Sequence, residues 1–403
     1  MNLNRSCTIL LAVALMTLAA CQPGTATVVP PTPTAAFLTE TPTSTPPPQT
    51  DTPTAIPATE TPTPLPTIPP STVELAGAEL PEGFSLIKFA ELPGPTAFAF
   101  DPQGRLYVTS LDGRVYLLHD ENQDGRSDWQ VVFSETYNRP LGVAVHEPTG
   151  DVYISQRRTI TRLTDTDGDN QAEDGGDLVR GLPGDLHQND GLEFGPDGLL
   201  YIGIGSTCNA CREPDPRSAT IMRFDVTTGE GEIFATGLRN PYDVAFHPET
   251  GDLFATDNGR DDLGLNAPLE ELNHIMQGAD YGWPDCWNEQ DVPGCEDTIP
   301  AVAFFEARSS ANGVDFYDGD RFPAEYRGNA FVSIFGSSRK VTQTGIQRVI
   351  LTPHGNTYTG QDDWFIKFPQ GVKPLPVSSG PDNALYVGDF AGGIIYRISY
   401  GVP

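Results

Sequence analysis

The stretch LEFGPDGLLYIGIG, residues 192–205, decides the fold class of this 403-residue chain. The apolar segment LEF runs into the turn sequence GPDG, and the second apolar segment LLYIGIG follows at once. An Asp-Gly pair between two such segments is typical of the tight turn that joins neighbouring antiparallel strands. The stretch therefore predicts a β-hairpin.

The same pattern recurs along the chain, with a Pro or Asp together with a Gly or Asn at the turn. Several copies continue into a third apolar segment, and the spacing of roughly 45–75 residues suits a four-stranded blade with its loops. The other copies are FAFDPQGRLYVTS from Phe98, VAVHEPTGDVYIS from Val143, VAFHPETGDLFATD from Val244, the degenerate VDFYDGDRFPAEYRGNAFVSIFG from Val314, and VSSGPDNALYVGD from Val377.

Six copies predict an all-β fold, a six-bladed β-propeller over residues 74–403. An all-β sandwich would not repeat one motif six times. Helical periodicity is nearly absent from the sequence. The stretch LEELNHIMQG from Leu269 is the one fair candidate for a helix.

The part before the propeller has a different composition. Residues 1–20 combine Arg5 with an apolar run and small residues, which predicts a secretory signal peptide, and LAAC ending at Cys21 resembles the lipobox of bacterial lipoproteins. The alternative is an ordinary signal peptide with an incidental cysteine. Residues 21–73 are rich in Pro and Thr, which predicts a disordered, extended linker. We therefore expect an exported protein that meets the membrane only through a lipid on Cys21.

Charge and cysteine content narrow the function classes. The chain has 54 acidic and 24 basic residues, a net charge of −30, which argues against nucleic acid and anionic membranes as partners. The pairs Cys208/Cys211 and Cys286/Cys295 are closely spaced in an exported chain, which favours two disulfides. The spacing of the second pair does not suit a zinc site.

Two loops between repeats concentrate reactive side chains. The first contains His187, nine residues before the Pro of the third repeat, and the second contains Arg239 and Asn240 before the fourth repeat, with Asn258-Gly259-Arg260 after it. The chain has no GxSxG elbow, HExxH motif or Walker loop, and the Gly203-x-Gly205 pair does not open a helix.

These loops make the resemblance to a known family specific. The segments 187–205, GLRNP at 237–241 and ELN…YGWP at 271–284 resemble the soluble aldose dehydrogenases that depend on pyrroloquinoline quinone (PQQ), and more closely their sorbosone-dehydrogenase-like branch. The resemblance covers the whole chain after the linker. It implies a six-bladed propeller and an oxidoreductase that uses PQQ and Ca²⁺ to oxidise a small sugar, with an external quinone or cytochrome as electron acceptor.

The resemblance also implies roles for individual residues. His187 matches the catalytic base, and Arg239 and Asn240 match the contacts to the quinone. The carbonyls of Gly259 and Arg260 match the catalytic calcium site. Glu271 and the Tyr281 carbonyl match part of a second, structural calcium site. Arg339 and Lys373 are candidates for binding the carboxylates of the cofactor.

Some positions depart from the family pattern. Ser206 stands where glucose-oxidising relatives have an aspartate that supports the histidine, so we expect a less basic imidazole. Lys373 stands where relatives often have arginine, and Arg260 replaces a common proline. Two other functions stay open on the sequence: a calcium-dependent propeller lactonase, and a non-catalytic propeller that binds a protein or glycan.

Overall fold

The hairpin motifs form the inner part of a ring of four-stranded antiparallel sheets. The computed structural model describes residues 70–287 and 293–401, except for the side chain of Asp174. The predicted signal peptide, Cys21 and the linker as far as residue 69 lie outside the described residues. Within the described ranges there are six sheets of four strands each, so the predicted all-β six-bladed propeller is confirmed.

Each hairpin motif supplies the innermost strand of a blade and the strand beside it. In blades 1 to 3 the four strands follow one another along the chain. The strands of blade 1 are β2 (Pro95–Phe100), β3 (Leu106–Ser110), β4 (Arg114–His119) and β5 (Trp129–Glu135). Those of blade 2 are β6 (Gly142–His146), β7 (Asp151–Gln156), β8 (Thr159–Thr164) and β9 (Glu173–Arg180). Those of blade 3 are β10 (Asn189–Phe194), β11 (Leu200–Ile204), β12 (Thr220–Phe224) and β13 (Gly231–Thr236).

Blade 6 closes the ring by combining strands from both ends of the described chain. Its outer strand β1 (Phe84–Glu91) pairs with the last strand, β24 (Ile394–Tyr400), in a register that sets Phe84 opposite Tyr400. The other strands of blade 6 are β22 (Pro374–Ser379) and β23 (Leu385–Asp389). Blade 4 consists of β14 (Pro241–Phe246), β15 (Leu253–Asp257), β16 (Glu270–Ile275) and β17 (Ala303–Phe305). Blade 5 consists of β18 (Ala311–Phe316), β19 (Ala330–Ile334), β20 (Thr344–His354) and β21 (Thr357–Phe368).

The prediction of a helix at LEELNHIMQG is wrong, because Glu270–Ile275 of this stretch form strand β16. Leu272 pairs with Thr256 of β15 on one side and with Ala303 of β17 on the other. Interior position in the sheet overrides the apolar spacing that resembled a helix. The helical element of the described residues is one 3₁₀ turn (Ala324–Tyr326), and none of their helices is long and apolar enough to cross a membrane.

The hydrophobic core is divided among the interfaces between neighbouring blades. Six buried clusters are present, and each combines side chains of two adjacent blades, as Tyr107 of blade 1 does with Val143 and Ile154 of blade 2. Around the axis, the inner strands of all six blades line a cavity of about 700 Å³ near their carboxyl ends. Function therefore has to be sought on the loops at the ends of this channel.

Candidate active site

Strand pairing gathers the predicted site residues at one end of the channel. Asn189 at the start of β10 pairs with Ile204 at the end of β11, and Pro241 pairs with Asp257 in the same way in the next blade. Residues just before an inner strand therefore lie beside residues just after the second strand. His187 and Arg239 precede inner strands, so both lie at this end of the propeller, opposite the 700 Å³ cavity.

His187 lines a cavity of about 170 Å³ at this end. A methyl group at Gly205 would lie 2.4 Å from the His187 Cβ and 3.0 Å from the Asn240 Oδ1. Glycine at this position is therefore required for the close approach of the two residues. The other residues that line the cavity include Arg139, Arg157, Asp190 and Tyr242.

The His187 ring is held by the hydroxyl group of Ser206. The distance from His187 Nδ1 to Ser206 Oγ is 3.0 Å, and Ser206 Oγ donates to the carbonyl oxygen of Cys208 at 2.7 Å. A hydroxyl has one hydrogen, so Ser206 Oγ accepts the hydrogen bond from Nδ1. This arrangement leaves Nε2 of His187 unprotonated.

The environment keeps His187 neutral. Burial lowers the pKa of the imidazole from 6.5 to about 3; the positive charge of Arg239 acts in the same direction, and a hydrogen bond with the Ser206 backbone opposes it. A neutral imidazole with a free Nε2 can accept a proton at neutral pH. The low pKa comes from burial and from Arg239, and the expectation that Ser206 leaves the base weakly basic stays a prediction.

Arg239 is almost fully buried, with 3% of its surface exposed, and its guanidinium has several partners. It donates to both the backbone and side-chain oxygens of Asn209 at 3.0 and 2.9 Å, to the Asn258 carbonyl at 2.9 Å, and to Asp261 at 3.1 Å. Burial lowers the pKa of Arg239, and acidic neighbours, Asp261 first, counteract this shift. The guanidinium is thus a positive charge in a fixed orientation close to His187.

Asn240 presents an unpaired acceptor to the same cavity. Its Oδ1 is buried and has no hydrogen-bond partner within the described part of the chain. Its backbone N–H donates to Asp257 Oδ1 at 2.6 Å, and the Arg239 N–H donates to Asp257 Oδ2 at 3.0 Å. Asp257 therefore fixes the backbone of both residues, and a buried amide oxygen without a partner fits a ligand that brings a donor.

The four residues predicted to bind calcium line one small cavity. This cavity has a volume of about 20 Å³, close to the space that one water molecule or ion needs. Burial raises the pKa of the Asp257 carboxyl at its wall to about 8, and the charge of Glu271 adds to the shift. The residues concerned are Gly259, Arg260, Glu271 and Tyr281, together with Asp257. Arg239 also lines this cavity, so a cation held there by the oxygen donors would lie beside a positive charge.

The carbonyl of Arg260 has a competing partner. It accepts a hydrogen bond of 2.9 Å from Nη1 of Arg308, whose guanidinium also contacts Asp261. A cation bound by the Arg260 carbonyl would lie close to this positive charge. The carboxyl oxygens of Asp257 likewise accept from the Arg239 and Asn240 N–H groups, so either residue would have to share its oxygen with a bound cation.

Lys373 and Arg339 line neither of the two cavities. The Lys373 ammonium donates to the Gly336 carbonyl and lies 5.4 Å from the centre of the Phe335 ring. Arg339 is exposed, with no hydrogen bond or ion pair to the described residues. Both stand on loops at the His187 end of the propeller, since Lys373 precedes β22 and Arg339 follows β19.

Both predicted disulfides are present. The Cα atoms of Cys208 and Cys211 are 6.1 Å apart, and those of Cys286 and Cys295 are 5.8 Å apart. These separations lie in the ordinary range for a disulfide. The first bridge lies in the loop that holds His187 and Arg239, and Cys286 of the second lines the small cavity.

The sequence reasoning missed several residues of the site. Asn209, Asp257 and Asp261 bind Arg239 or its backbone, and Asp190 is a buried carboxyl beside His187. Burial raises the pKa of Asp190 well above its usual value, and the charge of Asp243 adds to this. The sequence did offer a signal for Asp190, because NDGLEF places a charged residue inside an inner strand that is otherwise apolar.

Sequence comparison finds relatives among bacterial proteins. An Escherichia coli K12 protein named aldose sugar dehydrogenase YliI is 25% identical over 235 residues, 52% of this chain and 58% of the relative. An uncharacterized protein of Borreliella burgdorferi is 28% identical over 217 residues, 50% of this chain and 57% of that protein. The chain thus spans less than two thirds of the length of these relatives.

A solved structure covers more of the chain. The holo form of the pyranose dehydrogenase PQQ domain from Coprinopsis cinerea aligns with a TM-score of 0.68 at 15% identity, over 82% of this chain and 99% of that domain. This likeness shows the shared propeller fold. The predicted kinship with the soluble PQQ-dependent sugar dehydrogenases is confirmed, whereas the sorbosone-dehydrogenase-like branch stays a prediction.

The family model described as "Domain of unknown function (DUF7133)" matches residues 72–398, which includes all six blades and both loops of the candidate site. The chain therefore belongs to the DUF7133 family.

Proposed function

We propose that this protein oxidises a sugar, or a related aldose or aldehyde, in a reaction that depends on PQQ and Ca²⁺. The observation that carries the proposal is the hydrogen-bond chain from His187 through Ser206 to the Cys208 carbonyl, which leaves His187 Nε2 unprotonated. The position of this base beside a buried, fixed arginine, on loops at one end of the propeller, supports the same conclusion. The names of the relatives point to the same chemistry.

His187 acts as the general base in this proposal. Its Nε2 takes the hydroxyl proton of the sugar while the carbon–hydrogen bond at the same carbon breaks. Because burial lowers the pKa of His187 to about 3, the imidazole is neutral and ready to accept at physiological pH. When bound, PQQ supplies the acceptor for the hydride that leaves the sugar carbon.

Arg239 supplies positive charge where negative charge develops. Its guanidinium is held by Asn209 and Asp261, so it does not have to reorganise during the reaction. Preorganised charge in a buried site is among the largest contributions to catalysis. The Oδ1 of Asn240, without a partner among the described residues, accepts a hydrogen bond from the bound cofactor or sugar.

The charge of the site suits a tricarboxylate such as PQQ. Arg139 and Arg157 line the His187 cavity together with Asp185 and Asp190, and burial favours the neutral form of Asp190 by raising its pKa. Arg339 and Lys373 add two positive charges at the same end of the propeller. Ca²⁺ at Asp257 and Glu271 would act as a Lewis acid and hold the loop of Gly259.

The cellular setting is also part of the proposal. Lipidation of Cys21 would hold the protein at the extracytoplasmic face of the cell envelope, and residues 22–73 would separate the propeller from the membrane. Electrons would leave to an external quinone or cytochrome. The acidic composition suits a neutral substrate and a divalent cation and supports no role in nucleic-acid binding.

The test is reconstitution of the full purified chain with PQQ and CaCl₂. We expect a quinone absorbance band on the protein and the reduction of an artificial dye with at least one member of a panel of aldoses, aldehydes and oligosaccharides. Hydrolysis of a lactone without dye reduction would favour the lactonase alternative. The absence of PQQ binding and of both activities would favour a non-catalytic propeller and overturn the proposal.

A further inference from the structure

The loop that follows β11 contains a ring of four residues, Cys208-Asn209-Ala210-Cys211, closed by the first disulfide. The ring lies beside both His187 and Arg239, the two side chains to which the proposed reaction assigns proton and charge. It makes hydrogen bonds toward each of them. This double contact distinguishes the ring from the second disulfide.

On the side of His187, the contact passes through Ser206. Ser206 is fully buried, and its only hydroxyl hydrogen goes to the carbonyl oxygen of Cys208 at 2.7 Å. The direction of that carbonyl decides which way the hydroxyl points, and therefore whether Ser206 Oγ is an acceptor for His187 Nδ1. The position of Cys208 thus helps to select the tautomer of His187, together with the hydrogen bond between the imidazole and the Ser206 backbone.

On the side of Arg239, the contact is made by Asn209. The Asn209 carbonyl accepts from Nε at 3.0 Å, and its Oδ1 accepts from Nη2 at 2.9 Å and from the Asp261 N–H at 2.7 Å. The indole Nε1 of Trp283 also donates to the Asn209 carbonyl at 3.4 Å. Two oxygens of one residue thus bind one edge of the guanidinium, which fixes its plane.

Both contacts use main-chain carbonyls of neighbouring residues, and the disulfide restricts the backbone that carries them. We propose that the Cys208–Cys211 ring is the positioning element of the site: it holds His187 in the tautomer with a free Nε2 and Arg239 in one orientation. The proposal goes beyond the proposed function, on which its kinetic arm rests. Its spectroscopic arm does not depend on that function.

A positioning role also suits the size of the ring. A disulfide stabilises a fold mainly by restricting the unfolded chain, and the effect grows with the length of the loop that it closes. The sequence separation here is three residues, so the contribution to global stability is small. The consequence of the bridge is therefore local.

The first experiment compares the wild-type chain with the double variant Cys208→Ser/Cys211→Ser. The chain has six histidines, so histidine-selective ¹⁵N labelling gives few imidazole signals, and a His187→Gln variant assigns the one of interest. In the wild type without cofactor we expect the Nδ1–H tautomer of His187. In the double variant we expect a mixture of both tautomers, with a small change in melting temperature.

The kinetic arm uses the same proteins loaded with PQQ and CaCl₂. Loss of a group that orients a reacting residue typically costs about 10–100-fold in activity. We expect a decrease of this size in kcat for the double variant, with a smaller change in KM. Asn209→Ala, which removes the Oδ1 contact to Nη2 of Arg239 and keeps the carbonyl that accepts from Nε, is expected to lower kcat without changing the tautomer of His187.

A matched pair of single variants separates positioning from simple loss of a buried hydroxyl. Ser206 and Ser333 are both fully buried, and Ser333 Oγ of blade 5 donates to the Leu375 carbonyl of blade 6 at 2.8 Å. Ser206→Ala is expected to change the His187 tautomer and to lower kcat. Ser333→Ala is expected to lower stability while both readouts stay as in the wild type.

The outcomes distinguish this proposal from the proposed function. If the double variant keeps the Nδ1–H tautomer and full kcat, the ring does not position the site and the proposal is overturned. If the wild-type chain oxidises no sugar with PQQ, the proposed function fails. In that case the imidazole signals still decide whether the ring controls His187.

Discussion

Nδ1 of His187 lies 3.0 Å from Oγ of Ser206, and this hydroxyl donates to the carbonyl oxygen of Cys208 at 2.7 Å. A hydroxyl orients the ring as a carboxylate does, but it brings no negative charge to stabilise an imidazolium. Orientation and basicity are thus separated in this chain: the tautomer is fixed, and the pKa of the base is low. This separation governs how the protein should respond to mutation and to pH.

Replacement of His187 by Ala removes the proposed proton acceptor. We expect a loss of about 10²–10⁴-fold in turnover, the usual contribution of a general base. PQQ and Ca²⁺ binding should persist, because neither is assigned to this side chain. Dye reduction and the absorbance band of the bound quinone measure the two effects separately. Full turnover of the variant with a good substrate would show that the mechanism is wrong.

Replacement of Arg239 by Ala should act differently, because this residue is assigned to both the cofactor and the reaction. We expect weaker PQQ binding together with slower turnover. Titration of the protein with PQQ, followed by dye reduction at saturating cofactor, resolves the two contributions. An Arg239→Ala variant with unchanged affinity for PQQ would remove the quinone contact from the assignment.

The activity should depend little on pH where an ordinary histidine titrates. Burial lowers the pKa of His187 to about 3, so the imidazole stays deprotonated when the pH falls through the usual value of 6.5. We therefore expect kcat/KM to be nearly constant from about pH 5 to pH 8, with any acid limb below this range. In Ser206→Asp, a carboxylate would raise the pKa and move the acid limb upward. An acid limb at or above 6.5 in the wild type would contradict this account.

Stability should decline as the pH rises through neutrality, because Asp243 and Asp315 line the channel. Burial raises the pKa of each carboxyl to about 7 from 3.8, so the folded chain holds protons that the unfolded chain releases. This contribution is complete below the unfolded pKa and is lost as the pH passes the folded pKa. Denaturant unfolding of Asp243→Asn/Asp315→Asn should show a weaker decline between about pH 4 and pH 7. An equal change of the unfolding free energy with pH in variant and wild type would refute this prediction.

Removal of calcium should lower both stability and activity. A ligand that binds only the folded state stabilises it by mass action, so a chelator should lower the melting temperature and CaCl₂ should restore it. Glu271→Gln, which neutralises one carboxylate of the small cavity, should weaken this response. Thermal unfolding with and without chelator is the measurement. If chelator changes neither the melting temperature nor the dye reduction, no calcium role remains.

Attachment to the cell envelope should depend on Cys21. The LAAC motif and the Pro/Thr-rich stretch after it motivate this expectation. In Cys21→Ser the lipid acceptor is lost, so the protein should move from the membrane fraction to the soluble fraction. Immunoblots of the two fractions measure the effect, and unchanged membrane retention of the variant would contradict it.

The sequence by itself determined the blades, because a hairpin depends on residues close together in the chain. The turn chemistry of GPDG at residues 195–198 and of its counterparts is local, so six copies sufficed to predict six blades. The motifs around His187 and Arg239 likewise sufficed to predict the kinship with the soluble PQQ-dependent sugar dehydrogenases. Local patterns also misled at LEELNHIMQG, where pairing with β15 and β17 made a strand.

Only the tertiary structure decided how the ring closes and what surrounds the site. Phe84 and Tyr400 come from opposite ends of the described chain and pair in one sheet. Asn209 contacts Arg239 and Asp261 from the loop that follows β11 of blade 3. The four residues of the two predicted calcium sites line one cavity for the same reason, and the sites themselves stay predictions. Such contacts join residues far apart in the chain, and their geometry follows from how the blades pack. A pattern of nearby residue types carries no information about that packing.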